Sequence, residues 1–237
     1  MTTTDAAMPA GTAETARRAS ARVHPLALYE QALSGVPVLA VGAAETRLLD
    51  VATWAAPTSA VDEMILARCE GPVLDVGCGP GRMAAALGRR GVPCLGIDVS
   101  PRAVTEARSR GALALRRAVE RPLPGEGRWG TVLLADGNVG IGGDPTALLR
   151  RCAELVEPGG LVLVDTDPDP DVWDTTPVVL RGPDGRESHP MPWARVGARA
   201  LLRIAADVGL RLSEEWDLDG RTVVALRRPV RTTLHRR

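Results

Sequence analysis

Between Val73 and Asp167 the chain alternates short, unbroken apolar runs with stretches whose apolar positions recur every three or four residues. "PVLDVG", "VPCLGIDVS", "ALALRRAV", "WGTVLLAD" and "LVLVDTD" lack the polar–apolar alternation of a half-exposed strand. They read as strands buried on both faces. Between them, "GRMAAALGRRG", "SPRAVTEARSRG" and "DPTALLRRCAELVEPGG" read as amphipathic helices. Ser100 caps the second, with Pro101 at its first position, and Asp144 caps the third ahead of Pro145. This alternation predicts an α/β fold with a mostly parallel sheet covered by helices on both sides.

The flanks follow other rules. "HPLALYEQAL" predicts a short helix, and "VPVLAV" with "TRLLDV" a hairpin around Gly42. "TSAVDEMILARCEG" predicts a helix with Thr58 or Ser59 as its cap. After the fifth strand the chain is rich in Pro and Asp, with "PDG" turning between two extended pieces. A helix is expected over "WARVGARALLRIAADVGL", and "RLSEEWDL" and "RTVVALRR" flank Asp219-Gly220, a strong hairpin signal. The expected organisation is a disordered tail over 1–22, a helical and hairpin segment over 23–57, and a main domain over 58–230. That domain carries an insertion at 168–192.

Charge and composition narrow the function classes. The 237 residues carry 29 basic and 29 acidic side chains, so no net field attracts nucleic acid or an anionic membrane. Every basic residue is Arg, which excludes lysine Schiff-base chemistry. With no Phe and one Tyr, a stacking platform for single-stranded nucleic acid is not expected. No apolar run reaches membrane-spanning length, and the Arg-containing N-terminus has no apolar segment after it, so a cytoplasmic protein is expected. Cys69, Cys78, Cys94 and Cys152 form no CxxC pair and no metal spacing with His24, His189 or His235. Free thiols and no metal site are expected.

The chemistry concentrates where "VLDV" breaks into Gly77, Gly79 and Gly81. A glycine turn between strand and helix can cradle a pyrophosphate, hold an amino-acid group, or simply turn a corner. The spacing is not the GxGxxG of dinucleotide sites. Asp75 lies inside the strand before the turn, where an acid is costly without a partner. Asp98 ends the next strand, about twenty residues after the first glycine, where a carboxylate can take ribose hydroxyls.

On these residues the chain resembles the class I S-adenosylmethionine (SAM)-dependent methyltransferases. "VLDVGCGPG" looks like their first motif, "GIDVS" like their second, and "LLRRCAELVEPGGLVLVD" like the helix and strand after their fourth. The resemblance runs from about Asp62 to Arg228. It implies a Rossmann-like, doubly wound, seven-stranded sheet, mostly parallel, with an antiparallel strand in the C-terminal hairpin. It also implies SAM as cofactor and S-adenosylhomocysteine as product. The turn at Gly77, Cys78, Gly79 and Gly81 would hold the methionine part, Asp75 its amino group, Asp98 the ribose, and Val99 the adenine. One departure stands out. Where many relatives end the third strand in an acid that binds the adenine amino group, this chain has Ala118 and Val119, with Glu120 just beyond.

For the acceptor side, Asp136 and Asn138 follow the fourth strand in a loop with four glycines, and are expected to contact cofactor or substrate. His189 and Asp167 are the other candidates for proton transfer, with Asp136. Trp193, Tyr29 and Trp54 could cover the pocket or pack in the core. The expected function is methyl transfer to a small-molecule acceptor, with no nucleic-acid or membrane partner, in bacterial specialised metabolism. NAD-dependent oxidoreduction is a competing expectation, as is a SAM-binding protein that does not methylate, such as a cyclase or regulatory partner.

Overall fold

A computed structural model describes residues 22–43 and 45–230. The tail expected over 1–22, apart from Arg22, and His235 lie outside the described residues. The chain divides into two units, one comprising residues through Leu49 with Val178–Met191, the other Asp50–Pro177 with Pro192 onward.

In the smaller unit, helix α1 (Pro25–Leu33) starts at His24, whose Nδ1 accepts from the Leu26 amide. Strands β1 (Leu39–Val41) and β2 (Thr46–Leu48) pair antiparallel as the expected hairpin. The other edge of β1 pairs with β9 (Val179–Arg181), which the Pro-Asp-Gly turn folds back toward Glu187. That strand comes from the segment expected as an insertion.

In the larger unit, α2 (Val51–Ala55) and α3 (Ala60–Ala67) precede the sheet. Ser59 is the cap of α3, and its capping box is closed by Asp62, whose carboxylate accepts from the Ser59 amide at 2.7 Å. Then come β3 (Val73–Val76), α4 (Arg82–Arg89), β4 (Cys94–Asp98), α5 (Pro101–Ser109), β5 (Leu113–Arg116) and β6 (Trp129–Leu134). A 3-10 turn at Asn138–Gly140 leads into α6 (Pro145–Leu155) and β7 (Val156–Asp165). The caps at Ser100 and Asp144 form as expected. After the short strand β8 (Trp173–Asp174) come β10 (Arg195–Val196), α7 (Ala198–Ala205), β11 (Arg211–Leu218) and β12 (Arg221–Arg227).

The seven-stranded sheet runs β11-β12-β7-β6-β3-β4-β5. β12 is antiparallel to both neighbours, and the pairs from β7 to β5 are parallel. The unbroken apolar runs are explained by two separate cores. Leu74, Val76, Val132, Leu134, Val162 and Val164 face one core with α6 and α7. Val73, Leu133, Leu161 and Leu163 face the other with α3, α4 and α5. Each fully buried Val or Leu contributes roughly 1.5–3 kcal/mol.

One expected helix is shorter than the pattern implies. Residues 193–197 are extended, and the helix begins only at Ala198. β10 pairs antiparallel with β8, and the Asp167 amide bonds to the Val196 carbonyl. These ladder bonds take the backbone groups that another helical turn would need.

Gly81 ends the glycine turn with a φ of +84°, and a Cβ there would lie 2.6 Å from the Ala107 Cβ on α5. Gly81→Ala combines left-handed strain with overpacking. It is expected to destabilise the fold by roughly 2–4 kcal/mol, read as a lower denaturant midpoint with an unchanged slope.

Candidate functional site

The C-terminal ends of β3, β4, β6 and β7 bring together residues from distant parts of the sequence, where doubly wound sheets place their ligands. Asp75 sits in mid-sheet on β3, opposite Gly96 on β4 and Leu133 on β6. It is 2% exposed, and its Oδ2 has no hydrogen-bond partner. The Ala84 backbone, at the start of α4, supplies a hydrogen bond to the carboxyl. Burial first, then the charges of Asp136 and Asp98, push the Asp75 carboxyl up to about 7.

The glycine turn is clamped from two sides. Asp98 is buried, its Oδ2 accepting from the Gly79 amide at 3.0 Å and its Oδ1 from the Ser100 amide at 2.8 Å. The expected ribose ligand therefore also holds the turn; a carboxylate has about four acceptor sites, so the two roles are compatible. From the other side, Asn138 Nδ2 donates to the carbonyls of Val76 and Gly77, at 2.9 and 3.0 Å. A Cβ on Gly77 would lie 2.8 Å from that amide nitrogen and from Ile141 Cδ1, so only glycine admits this approach. Cys78 is buried in the turn, and burial pushes its thiol far above the ordinary range, so it stays neutral.

Val99, just past β4, is 51% exposed although apolar. Ala118 is half-buried, Val119 packs in the core, and Glu120 is exposed. The Val119 carbonyl accepts from Arg151 Nε at 3.0 Å, and the Ala118 carbonyl from the Arg121 amide at 3.1 Å.

Asp136, beyond β6, belongs to a five-membered ionic network. Its Oδ2 takes Arg82 Nη2 at 2.6 Å and its Oδ1 takes Arg221 Nη2 at 3.1 Å. Both arginines also reach Asp62, which is 0% exposed; Arg82 Nη1 pairs with Oδ2, and Arg221 Nη1 lies 3.1 Å from Oδ1. Arg221 further pairs with Asp165, whose Oδ2 accepts the Asp136 amide at 2.9 Å. Burial raises the Asp165 carboxyl, and Arg221 opposes that rise. Asp136 has a φ of +53°, uncommon outside glycine, and this network holds it there.

Asp62, Arg82, Asp165 and Arg221 were not anticipated from the sequence. Local signals existed for two of them. Asp62 stands three residues after Ser59, the spacing of a capping box, and Arg82 directly precedes the apolar run over residues 83–87. Asp167 is drawn away from open solvent by Arg195, whose Nε and Nη2 reach its two oxygens at 2.8 and 3.2 Å. His189 is exposed and belongs to the smaller unit, where its amide bonds to the Val23 carbonyl.

A family model described as a methyltransferase domain matches residues 48–215. The chain belongs to the methyltransferase-domain family. A ubiquinone biosynthesis O-methyltransferase of Cereibacter sphaeroides (strain KD131) is 32% identical to this chain over 99 residues, covering 40% of each. The chain thus spans about two-fifths of the length of the curated relatives it matches. A SAM-dependent methyltransferase from Bacteroides fragilis, solved with S-adenosylhomocysteine, shares the fold with a TM-score of 0.71. It is 19% identical, covering 94% of this chain and 98% of that one. A Burkholderia thailandensis 1,6-didemethyltoxoflavin-N1-methyltransferase aligns with a TM-score of 0.60 at 14% identity, covering 96% and 93%. Among the described residues, no helix is long and apolar enough to cross a membrane.

Proposed function

We propose that this chain binds SAM at the sheet edge and transfers its methyl group to a small-molecule acceptor. The observation that carries the reading is Asp75: a carboxylate buried in mid-sheet with one oxygen unpartnered suits an ammonium group. An amino-acid cofactor brings that group; a dinucleotide's pyrophosphate would meet an anion here instead. When bound, SAM supplies a methyl group already activated by the positive sulfonium.

Each side chain then has a defined task. Asp75 binds the amino group, and the turn from Gly77 to Gly81 with Cys78 lets the backbone approach the methionine end. Asp98 binds the ribose while holding the Gly79 amide. Val99 offers its exposed side chain to the adenine, beside Ala118 and Val119. Each carbonyl there already accepts one bond and keeps a second lone pair, so a backbone carbonyl or the exposed Glu120 can take the adenine amino group. Asn138 and Asp136 set the loop that faces the reacting carbon. Asp136 and Asp167 are each engaged by arginine, so holding geometry suits them better than proton exchange. Two of the relatives named above, the ubiquinone biosynthesis O-methyltransferase and the 1,6-didemethyltoxoflavin-N1-methyltransferase, carry small-molecule names, in line with the neutral charge and scarce aromatic side chains of this chain.

Calorimetric titration with SAM, S-adenosylhomocysteine and NAD tests the cofactor assignment. Binding of the first two is expected; NAD binding without SAM binding would overturn it. Radiolabelled methyl from SAM, offered with a panel of small hydroxyl, amine and thiol acceptors, tests transfer. Good SAM affinity with no labelled product would favour a cofactor-binding protein that does not methylate. Asp98→Asn is expected to weaken SAM binding by roughly 1–3 kcal/mol through lost charge-assisted bonds. Unchanged affinity in a folded variant would remove Asp98 from the ribose site.

A further inference from the structure

Asp75 has no cation of its own. Among the described residues no arginine pairs with it, although two lie in the network beside it. The ionisable groups facing Asp75 are Asp136 and Asp98, together with the thiols of Cys69, Cys78 and Cys94. All of these are anionic or neutral, and burial pushes all three thiols up. Arg82 and Arg221 are both committed to Asp62 and Asp136, and Arg221 also to Asp165. Their effect is to fix the Asp136 carboxylate in one place, on a left-handed backbone, with its amide tied to Asp165. Asp136 lies three residues beyond Leu133, the β6 register partner of Asp75, so a stationary negative charge acts on a buried acid that lacks a counter-ion. Such an acid holds its proton until a cation arrives.

We propose that cofactor capture expels a proton from Asp75, and that Asp136, held by Arg82 and Arg221, keeps that proton in place until then. The inference rests on the SAM reading above. Before the ligand binds, the Asp75 carboxyl is largely protonated below neutrality. As the ligand enters, the carboxyl O–H bond breaks and its proton leaves to solvent. The carboxylate so formed accepts a hydrogen bond from the ligand's ammonium. No oxidant, reductant or other reactant is needed. Asp136 is here a positioning residue, acting on the ligand through Asp75.

The test is calorimetric titration of SAM into the full chain, in buffers of different ionisation enthalpy, which reads the protons released. At about pH 6 the ligand's amino group is already ammonium, so it adds no proton of its own. Wild type is expected to release close to one proton at about pH 6 and none at about pH 8.5, where Asp75 is already ionised and the ligand's amine, largely neutral, instead takes up a proton on binding. Asp75→Asn is expected to release none. Asp136→Asn should lower the release at about pH 6 by nearly half, and move the pH midpoint of SAM affinity down by about one unit. Asp136→Gly removes the same charge on a residue type that tolerates the left-handed backbone, and should behave alike. A purely structural Asp136 would change affinity without moving the midpoint. SAM binding with no proton release by wild type would overturn the inference, as would an unmoved midpoint in a folded Asp136 variant. Failure of wild type to bind SAM would instead overturn the cofactor reading, and the inference with it.

Discussion

Asp75→Asn is expected to weaken SAM binding at about pH 8 by roughly 1.5–3 kcal/mol, about ten- to a hundredfold. The amide keeps the shape and an acceptor oxygen but loses the charge that an ammonium seeks. The same substitution changes how ligand-free stability depends on pH, in a direction that burial dictates. The folded carboxyl is raised from an ordinary 3.8 to about 7, so the folded state binds the proton more tightly than the unfolded chain. That stabilisation is fully present below about 3.8 and is lost as pH rises through about 7. Relative to Asp75→Asn, wild type should therefore lose stability steadily between these values and level off above them. Denaturant unfolding of both proteins across that range measures the difference. Parallel curves would mean that Asp75 ionises freely in the fold.

Asp62→Ala should cause the largest loss of stability of any single change in the network. Asp62 is fully buried, and both guanidiniums of the network converge on it. Removing it leaves Arg82, itself buried, with one carboxylate where it had two. Breaking such a pair from one side costs about 3–5 kcal/mol, because the remaining charge stays desolvated. The lost capping bond to the Ser59 amide adds to this. The change should lower the denaturant midpoint sharply, whereas Asp62→Asn should recover part of the loss by keeping hydrogen-bond acceptors in place. A stability change below about 1 kcal/mol for Asp62→Ala would show that water reaches the network and relieves it.

The strands were legible because each is a local pattern. A strand covered by helices on both faces has no polar side, so "VLDV" and "TVLLA" declare themselves without any knowledge of their neighbours. Caps at Ser100 and Asp144 were legible for the same reason, since a cap and its amide lie three residues apart. The expected helix from Trp193 was too long. Its apolar spacing is helical, but β8 and the Asp167 amide pair with its first residues, and those partners lie about twenty to thirty positions upstream. Asp98 shows the same division within one side chain. Its place at a strand end after a glycine turn pointed to a ligand, while its bond to the Gly79 amide emerged only from the fold.

What the sequence by itself determined is the α/β order of elements, the glycine turn, and the two acids before and after it. These follow from spacing within about twenty residues, where chain connectivity keeps the participants close. Only the tertiary structure decided the charge around Asp75. Arg221 lies 159 residues from Asp62 and 85 from Asp136, yet the antiparallel β12 sets it beside both. No local pattern marks such a partner, because its position depends on which strand the sheet places next to β7. The ionisation of a buried acid depends on every charge within a few ångströms, wherever those charges lie in the chain.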